Sequence, residues 1–215
     1  MFLKKLKFQM CECTNPDCHL RFPLDPLTHS GNYCPRCGAL AEPVAQIFDE
    51  HSCTPALKTG SLQLKGLLDN IRSSLNVGSI FRIADGAGLA HLYLCGITPS
   101  PDENGSIAKT ALGAQNSIAW SHHRNALDLA LALKAQDAKL IALECAPNAC
   151  TLYDFEMNAQ EAQRVVLIVG SETAGVDPAL LTLCEHVLAI PMRGEKESLN
   201  AAVAFGIAAY WLTRP

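Results

Sequence analysis

The sequence predicts an α/β domain with a mostly parallel β-sheet and helices on both faces, preceded by a small cysteine-rich module. Two observations predict this organisation. From Ser61 onward, short apolar runs alternate with segments of helical periodicity, which is typical of parallel strands joined by crossover helices. Residues 1–45, in contrast, are rich in cysteine, proline and turn-forming residues. We therefore divide the chain into a module at residues 1–45, a linker at 46–60 and a larger domain at 61–215.

The composition narrows the class of protein. Of the 215 residues, 49% are hydrophobic, which is enough for the core of one ordinary domain plus a small module. The formal net charge of −4 argues against a broadly basic surface for non-specific nucleic-acid binding but leaves room for a local basic site. The most apolar stretch, Ala201–Leu212, is shorter than the roughly 20 residues that span a bilayer. We expect a soluble, cytoplasmic protein without membrane contact.

The hydrophobic pattern divides the larger domain into strands and helices. Short apolar runs bounded by polar or turn-forming residues are typical of buried strands. They predict strands at residues 62–68, 90–95, 117–121, 139–143, 165–169 and 187–190. Apolar residues that repeat every three to four positions predict helices at residues 77–86, 106–112, 125–136, 178–184 and 199–212.

Two of these helices carry further predictions. In the helix at residues 125–136, Leu127, Leu131 and Ala135 share one apolar face. The closing helix is apolar on nearly all sides, so we expect it to be buried against its own core and against a second subunit. Ser198 is suited to cap the N-terminus of that helix.

The cysteines of the N-terminal module occur in two short-spaced pairs. Four residues separate Cys13 from Cys18, and two separate Cys34 from Cys37. Two such pairs are typical of a structural zinc site, in which four thiolates surround the ion tetrahedrally. Because a module this small buries little apolar surface, bound zinc would supply much of its folding free energy.

The ligand set leaves alternatives open. Cys11 is an alternative to Cys13, and His19 and His29 are weaker candidates. Four cysteine ligands leave no open position for water, so a catalytic zinc is not expected. The module is therefore expected to bind or position a partner.

A turn that contains two glycines follows the strand at residues 165–169. Gly170 and Gly175 bound this turn, and ligands in open α/β sheets bind where the strands end. Glycine there lets the backbone approach a ligand closely. A nucleotide-dependent oxidoreductase is a weaker hypothesis, because the turn after the first strand, residues 69–76, contains no glycine.

Three motifs occur in the order found in one enzyme family. They are residues 76–82, residues 170–175 with 190–192, and residues 198–200. Together they resemble the SpoU, or TrmH-type, branch of the SPOUT RNA methyltransferases, and the resemblance extends over residues 62–213. Three ordered motifs make a more specific match than any one of them.

This resemblance implies a fold, an assembly and a reaction. The fold is an α/β fold whose C-terminal segment threads a loop to form a trefoil knot, and the assembly is a homodimer with the active site near the subunit interface. The reaction transfers a methyl group from S-adenosylmethionine to a ribose 2'-hydroxyl of structured RNA, either tRNA or rRNA. The expected cofactor contacts are Leu143, Gly170, Gly175, Ile190, Met192, Ser198 and Leu199.

The resemblance also assigns catalytic residues. Arg82 is the central one, and since a guanidinium group is always protonated, we expect it to hold a phosphate and stabilise a developing alkoxide. Asn76 is expected to cap its helix as well as to serve the site. Glu172 is expected to orient the substrate or a backbone amide. Ser198 and Asn200 would fix the substrate ribose or the cofactor loop, with helix capping as the alternative.

Besides the enzyme, two hypotheses remain in which the protein has no catalytic activity. The chain is alternatively a non-catalytic RNA-binding module, or a zinc-ribbon adaptor that retains the fold. The presence of Arg82, Glu172 and Asn200 favours the enzyme. A short cationic cluster at residues 122–124, which contains His123, is either an RNA contact or a solvated loop.

Overall fold

The computed structural model describes residues 9–25, 31–46, 62–157 and 164–214. The chain divides into two compact units, Met1–Ala56 and Leu57–Pro215. The linker expected at residues 46–60 lies outside the described residues except for Gln46.

The N-terminal unit contains a three-stranded antiparallel sheet. Its strands are β1 (Gln9–Cys13), β2 (Arg21–Leu24) and β3 (Ala41–Gln46), and β1 lies between the other two. The hydrophobic cluster of this unit is small. It consists of Cys11, Leu24 and Ala41, with Phe22 packed against them.

The larger unit alternates strands and helices. Its strands are β4 (Gln63–Asp69), β5 (His91–Cys95), β6 (Trp120–His123), β7 (Lys139–Leu143), β8 (Cys150–Thr151), β9 (Arg164–Val169) and β10 (His186–Ala189). Its helices are α1 (Ser74–Ala87), α2 (Ala108–Ala111), α3 (Ala126–Lys134), α4 (Pro178–Leu183) and α5 (Ala201–Leu212). Every element that the sequence predicts in this unit lies within three residues of its predicted bounds. The two-residue strand β8 was not predicted.

The strands of the larger unit form one parallel sheet in the order β6-β5-β4-β9-β7-β10-β8. From β4, the chain first adds β5 and β6 on one side. The later strands are then added on the opposite side of β4. Strand β9 enters between β4 and β7, so that Gln63 pairs with Arg164 and Leu143 with Val169. The carboxyl ends of β9, β7 and β10 therefore lie side by side.

Helices cover both faces of the sheet, which confirms the predicted α/β fold class. On one face α1 packs against α5, over a cluster that includes Phe81, Leu92 and Phe205. On the other face α3 packs against α4, over a cluster that includes Ile168 and Leu180.

The short strand before α3 begins later than predicted. The sequence predicts a strand at residues 117–121, whereas β6 runs from Trp120 to His123. A turn of 3-10 helix, Ala114–Asn116, precedes it and is closed by the Ser117 amide, which donates to the Ala114 carbonyl at 3.0 Å. Because of this turn, the chain becomes extended only after Ser117, and the strand starts later than predicted.

The predicted apolar face of α3 was wrong. The buried residues of this helix are Ala126, Ala130 and Leu133, while Leu131 is 50% exposed. When a helix is apolar over most of its surface, its sequence is compatible with more than one buried face. In this structure the alanines of the helix pack against the core, because small side chains allow close packing.

Helix α5 is only partly covered within one chain. Phe205, Ala208 and Ala209 face the core, whereas Val203 and Tyr210 are 50% and 54% exposed. Within the described ranges, no helix has the length and apolar character needed to cross a membrane.

Candidate active site

A cleft of about 460 Å³ lies at the carboxyl edge of the sheet. Strands β7, β9 and β10 contribute Leu143, Val169 and Ala189 to its wall, and α5 contributes Ala201 and Ala204. In parallel sheets, ligands bind outside these strand ends. The loops that follow the strands complete the wall with residues 144–145, 170–175, 190, 192 and 197–200.

All of the residues that the family resemblance assigns to cofactor contact lie in this wall. They are Leu143, Gly170, Gly175, Ile190, Met192, Ser198 and Leu199. Although they come from four separate segments of the sequence, the order of β9, β7 and β10 brings them to one place. Glu172 and Asn200 lie in the same wall.

The loop after β9 folds back tightly on itself. Ser171 and Gly175 exchange two backbone hydrogen bonds, in which the amide of each donates to the carbonyl of the other at 3.0 and 2.9 Å. The backbone of Gly175 and Val176 lies so close to Gly170 that a Cβ there would overlap it. Gly175 itself has φ of 73°, in the left-handed region that favours glycine. Both glycines are therefore needed to form this part of the wall.

Glu172 joins this loop to the start of α1. Its exposed carboxylate accepts hydrogen bonds from the Arg72 amide at 2.9 Å and the Ser73 amide at 3.1 Å. It also accepts one from Nδ2 of Asn76 at 2.8 Å. Amide groups at a helix N-terminus have no partner within the helix, and a carboxylate is favoured there.

Asn76 continues the connection to α5. Its Oδ1 accepts a hydrogen bond from Nδ2 of Asn200 at 2.9 Å. Oδ1 of Asn200 accepts hydrogen bonds from the amides of Ala202 at 2.9 Å and Val203 at 3.3 Å. Glu172, Asn76 and Asn200, one from each of the three motifs, thus form a single chain of hydrogen bonds beside the cleft.

The hydrogen bonds keep Glu172 ionised. Partial burial opposes the charge of its carboxylate, but the donors from Arg72, Asn76 and Ser73 outweigh that effect and lower its pKa below the usual range. A carboxylate with a lowered pKa is a weak base. The geometry therefore suits Glu172 for orientation rather than for proton transfer.

The structure corrects two predicted helix caps. Ser73 caps α1, since its hydroxyl accepts a hydrogen bond from the Asn76 amide at 3.3 Å, so Asn76 lies in the first turn rather than at the cap. Asn200, and not Ser198, caps α5. A capping side chain must directly precede the first helical residue, and Ser198 lies two positions too early.

Arg82 lies apart from the cleft within one chain. It is exposed on α1, is absent from the cleft wall, and makes no hydrogen bond or ion pair with any described residue. Asn76 lies six residues earlier on the same helix, which corresponds to about 9 Å along the axis. The fold thus brings together Asn76, Glu172, Ser198 and Asn200, but not Arg82.

The acidic character of the cleft was not predicted from the sequence. Glu144, Glu172 and Glu197 line it, whereas no lysine, arginine or histidine of the described residues does. Oε2 of Glu144 accepts a hydrogen bond from the Val176 amide at 2.8 Å, and Oε1 accepts one from the Cys145 amide at 2.9 Å. The available signal was the position of Glu144 directly after a buried strand, where side chains meet a ligand.

The four predicted zinc ligands come together in the N-terminal unit. Their sulfur atoms all lie within 4.8 Å of one another. Sγ of Cys13 lies 3.4 Å from Sγ of Cys37, and Sγ of Cys18 lies 3.8 Å from Sγ of Cys34. A tetrahedral ion with bonds of about 2.3 Å requires sulfurs roughly 3.8 Å apart. The amide of Arg36 points at Sγ of Cys34 at 3.4 Å, as in a metal-binding turn.

The alternative ligands have other surroundings. Cys11 is buried in the small hydrophobic cluster and does not belong to the group of four sulfurs. Nδ1 of His19 lies 3.8 Å from the Glu12 carboxylate. His29 lies outside the described residues.

Comparison with known proteins identifies relatives of the larger unit. The model of the SpoU rRNA Methylase family matches residues 64–210. The chain is 32% identical over 149 residues to the 23S rRNA (guanosine-2'-O-)-methyltransferase RlmB of a Burkholderia species, covering 68% of this chain and 57% of that protein. It is 34% identical over 146 residues to the 23S rRNA (guanosine(2553)-2'-O)-methyltransferase RlmP of Bacillus subtilis strain 168, covering 68% and 56%.

A solved structure agrees with these relatives. The crystal structure of an AdoMet-bound rRNA methyltransferase from Sinorhizobium meliloti superposes with a TM-score of 0.65 and 25% identity, covering 73% of this chain and 57% of that one. The chain spans little more than half the length of the relatives it matches. The family match covers most of the chain and includes all three motifs, and the chain therefore belongs to the SpoU rRNA Methylase family.

Proposed function

We propose that this chain is an RNA ribose 2'-O-methyltransferase that uses S-adenosylmethionine. The observation that carries the proposal is the hydrogen-bonded chain of Glu172, Asn76 and Asn200 beside the cleft. It joins the three family motifs at the carboxyl edge of the sheet. The named functions of RlmB, RlmP and the AdoMet-bound neighbour support the reaction and the cofactor.

The cleft fits a cationic, partly apolar cofactor. Its volume of about 460 Å³ lies in the range of small-molecule sites. Leu143, Ile190 and Leu199 supply apolar wall, while Glu144 and Glu197 supply negative charge. S-adenosylmethionine, when bound, supplies an activated methyl group on a positively charged sulfur. An acidic wall favours that cation over the neutral thioether that remains after transfer, which would assist product release.

The residues beside the cleft position the substrate. A ribose 2'-hydroxyl must lose its proton and must be aimed at the methyl group. Asn76 and Asn200 are held rigidly by Glu172 and by the helix caps, so the cleft entrance keeps its shape. Arg82 holds an RNA phosphate and stabilises the developing alkoxide charge.

The position of Arg82 favours a homodimer. Since Arg82 lies outside the cleft of its own chain, we propose that it acts across a subunit interface formed by α1 and α5. Both helices expose large apolar side chains, with Leu75 at 50%, Val203 at 50% and Tyr210 at 54% exposure. Such side chains are typical of surfaces covered in an assembly. The C-terminal trefoil knot is part of the same proposal.

The N-terminal unit is proposed to be a zinc ribbon. The sulfurs of Cys13, Cys18, Cys34 and Cys37 fit a closed, four-coordinate structural site. We assign this role to a module at residues 1–45, joined by a linker at 46–60 to the methyltransferase domain at 61–215. The module would contact the RNA rather than take part in the chemistry.

Ribosomal RNA is the substrate class that the relatives favour over tRNA, because RlmB and RlmP are named for 23S rRNA. The test incubates the full chain with tritiated S-adenosylmethionine and unmodified rRNA or tRNA, followed by nucleoside analysis for 2'-O-methyl products. Label in a ribose-methylated nucleoside supports the proposal. Base methylation, or binding of the cofactor without transfer, contradicts it and would favour the non-catalytic module.

The role of Arg82 has its own test. Arg82→Ala should reduce methyl transfer by more than roughly 100-fold, as expected for loss of a group that stabilises transition-state charge, with unchanged cofactor affinity. Arg164→Ala is the control, since Arg164 lies at the opposite end of β9. Mixing Arg82→Ala subunits with subunits that carry a cofactor-site substitution should restore part of the activity if Arg82 acts across the interface. Wild-type turnover in Arg82→Ala would exclude its catalytic role.

A further inference from the structure

A second group of polar side chains lies on strands β4, β5 and β6, on the same sheet face as α3. It consists of Lys65, His91, Tyr93, Ser121 and His123, which we call the basic patch. Each of these residues is partly exposed. On the opposite face of the same strands, Leu64, Gly66, Leu92 and Leu94 are buried under α1 and α5. None of the patch residues lines the cleft.

Hydrogen bonds hold the patch in one arrangement. Oγ of Ser121 lies 2.9 Å from Nε2 of His91 and 2.8 Å from Nε2 of His123, so the hydroxyl links the two rings. The ring of Tyr93 packs between them, with centroids 4.5 Å from His91 and 5.7 Å from His123. Because strands rather than loops carry these residues, the arrangement is rigid.

Lys65 gives the patch positive charge, and no carboxylate of the described residues pairs with it. Nζ of Lys65 donates to the hydroxyl of Tyr93 at 3.3 Å and makes no ion pair with a described carboxylate. Burial, together with Lys65 and His123, lowers the pKa of His91. After burial, the groups that contribute to this lowered pKa are Lys65 and His123, and neither is a carboxylate.

The donors of the patch suit a phosphate. An ammonium group has three N–H donors, and Lys65 uses one of them on Tyr93. The Tyr93 hydroxyl, which accepts that bond, keeps its own O–H free to donate outward. Two such donors with a net positive charge match the oxygens of a phosphodiester.

We propose that the basic patch binds a phosphodiester group of the RNA substrate. The identity of the anion as RNA rests on the proposed function. Since three glutamates line the cleft, its wall does not attract the RNA backbone, and the basic patch supplies a cationic contact in addition to Arg82. Lys65 pairs with Val166 on β9, three residues before Val169 of the cleft wall, which corresponds to about 10 Å along the strand and which a few nucleotides can span.

The test measures binding of the full-length protein to a fluorescein-labelled uridine dodecanucleotide over a series of potassium chloride concentrations. Lys65→Gln should raise Kd roughly 10-fold at low salt, the expected loss for a charge-assisted hydrogen bond. It should also reduce the slope of log Kd against log salt by about 1. A structural role for Lys65 would not change that slope. Lys139→Gln, at the amino end of β7, is the matched control.

Two further measurements complete the test. Tyr93→Phe keeps the ring but removes the hydroxyl, and should raise Kd about 3-fold with an unchanged salt slope. Cofactor affinity and melting temperature should match wild type in both patch variants. An unchanged slope in Lys65→Gln, no wild-type binding of the oligonucleotide, or equal competition by polyglutamate would overturn the proposal. Because this assay requires no methyl transfer, an inactive wild type would contradict the proposed function and leave the patch standing.

Discussion

The two units of this chain are held together in different ways. In the N-terminal unit, the hydrophobic cluster of the described residues consists of Cys11, Leu24 and Ala41 around a three-stranded sheet. In the larger unit, a seven-stranded sheet carries an extensive buried cluster on each face. Burial of apolar surface contributes about 25 cal/mol per Å². The larger unit can therefore be stabilised by its core, whereas the smaller one, if it is the proposed zinc ribbon, depends on the metal that its four cysteines bind.

Loss of the metal should have the largest effect, and it should be confined to the smaller unit. Cys34→Ser removes one of the four proposed zinc ligands, and structural zinc contributes on the order of 10 kcal/mol to modules of this kind. We expect residues 9–46 to become sensitive to protease while residues 62–157 stay resistant. Zinc analysis and limited proteolysis measure this. Cys150→Ser is the control, since Cys150 is exposed and lies outside the cluster.

The next largest effect on stability should come from a cavity in the core of the larger unit. Phe205 is fully buried between the sheet and α1, and Phe205→Ala should cost about 3–5 kcal/mol. Urea unfolding followed by circular dichroism measures the change, and bound zinc should remain at the wild-type level. Leu131→Ala, at a 50% exposed position on α3, should change the free energy of unfolding by less than about 0.5 kcal/mol. Loss of zinc in Phe205→Ala would show that the two units do not fold independently.

Weakening the hydrogen bonds of Glu172 should destabilise the larger unit less than a cavity in its core does. Glu172→Gln keeps the size of the side chain but weakens the hydrogen bonds accepted from α1, with an expected loss of about 1 kcal/mol for this exposed group. The pKa of Glu172 is lowered by folding, so its contribution is complete above the ordinary value of about 4.3. It is lost as the pH falls through the lower folded pKa.

Thermal melts between neutral and acid pH measure that contribution. Wild type and Glu172→Gln should differ near pH 7 and converge in acid. Glu156→Gln is the control, because Glu156 is exposed and lies outside the hydrogen-bonded chain. A difference that grows in acid would contradict the assignment of the charge.

An effect of similar size should distinguish the core cysteine, Cys11, from the proposed zinc ligands. Cys11→Ala should destabilise the N-terminal unit by about 1 kcal/mol without loss of zinc, since Cys11 packs in the hydrophobic cluster. Cys13→Ala should abolish zinc binding. Elemental analysis of both variants decides the question, and the reverse outcome would make Cys11 the ligand.

Much of the fold follows from the sequence alone. The spacing of Cys13, Cys18, Cys34 and Cys37 predicts one cluster, and the pattern of apolar runs predicts the order of strands and helices. Both signals are local, because they lie within a few turns or one strand of the chain. The apolar face of α3 was wrongly predicted for the complementary reason. Its sequence allows several stripes, and only packing selects Ala126, Ala130 and Leu133.

The motifs by themselves determined the family and predicted the edge of the sheet at which the cleft lies. Only the tertiary structure decided how they act together. Asn76 meets Glu172 and Asn200 across 96 and 124 residues of sequence, because β9 enters the sheet between β4 and β7. The same strand order groups the acidic residues of the cleft and leaves Arg82 outside it. Contacts between distant segments depend on sheet order and register, which no local window of the sequence contains.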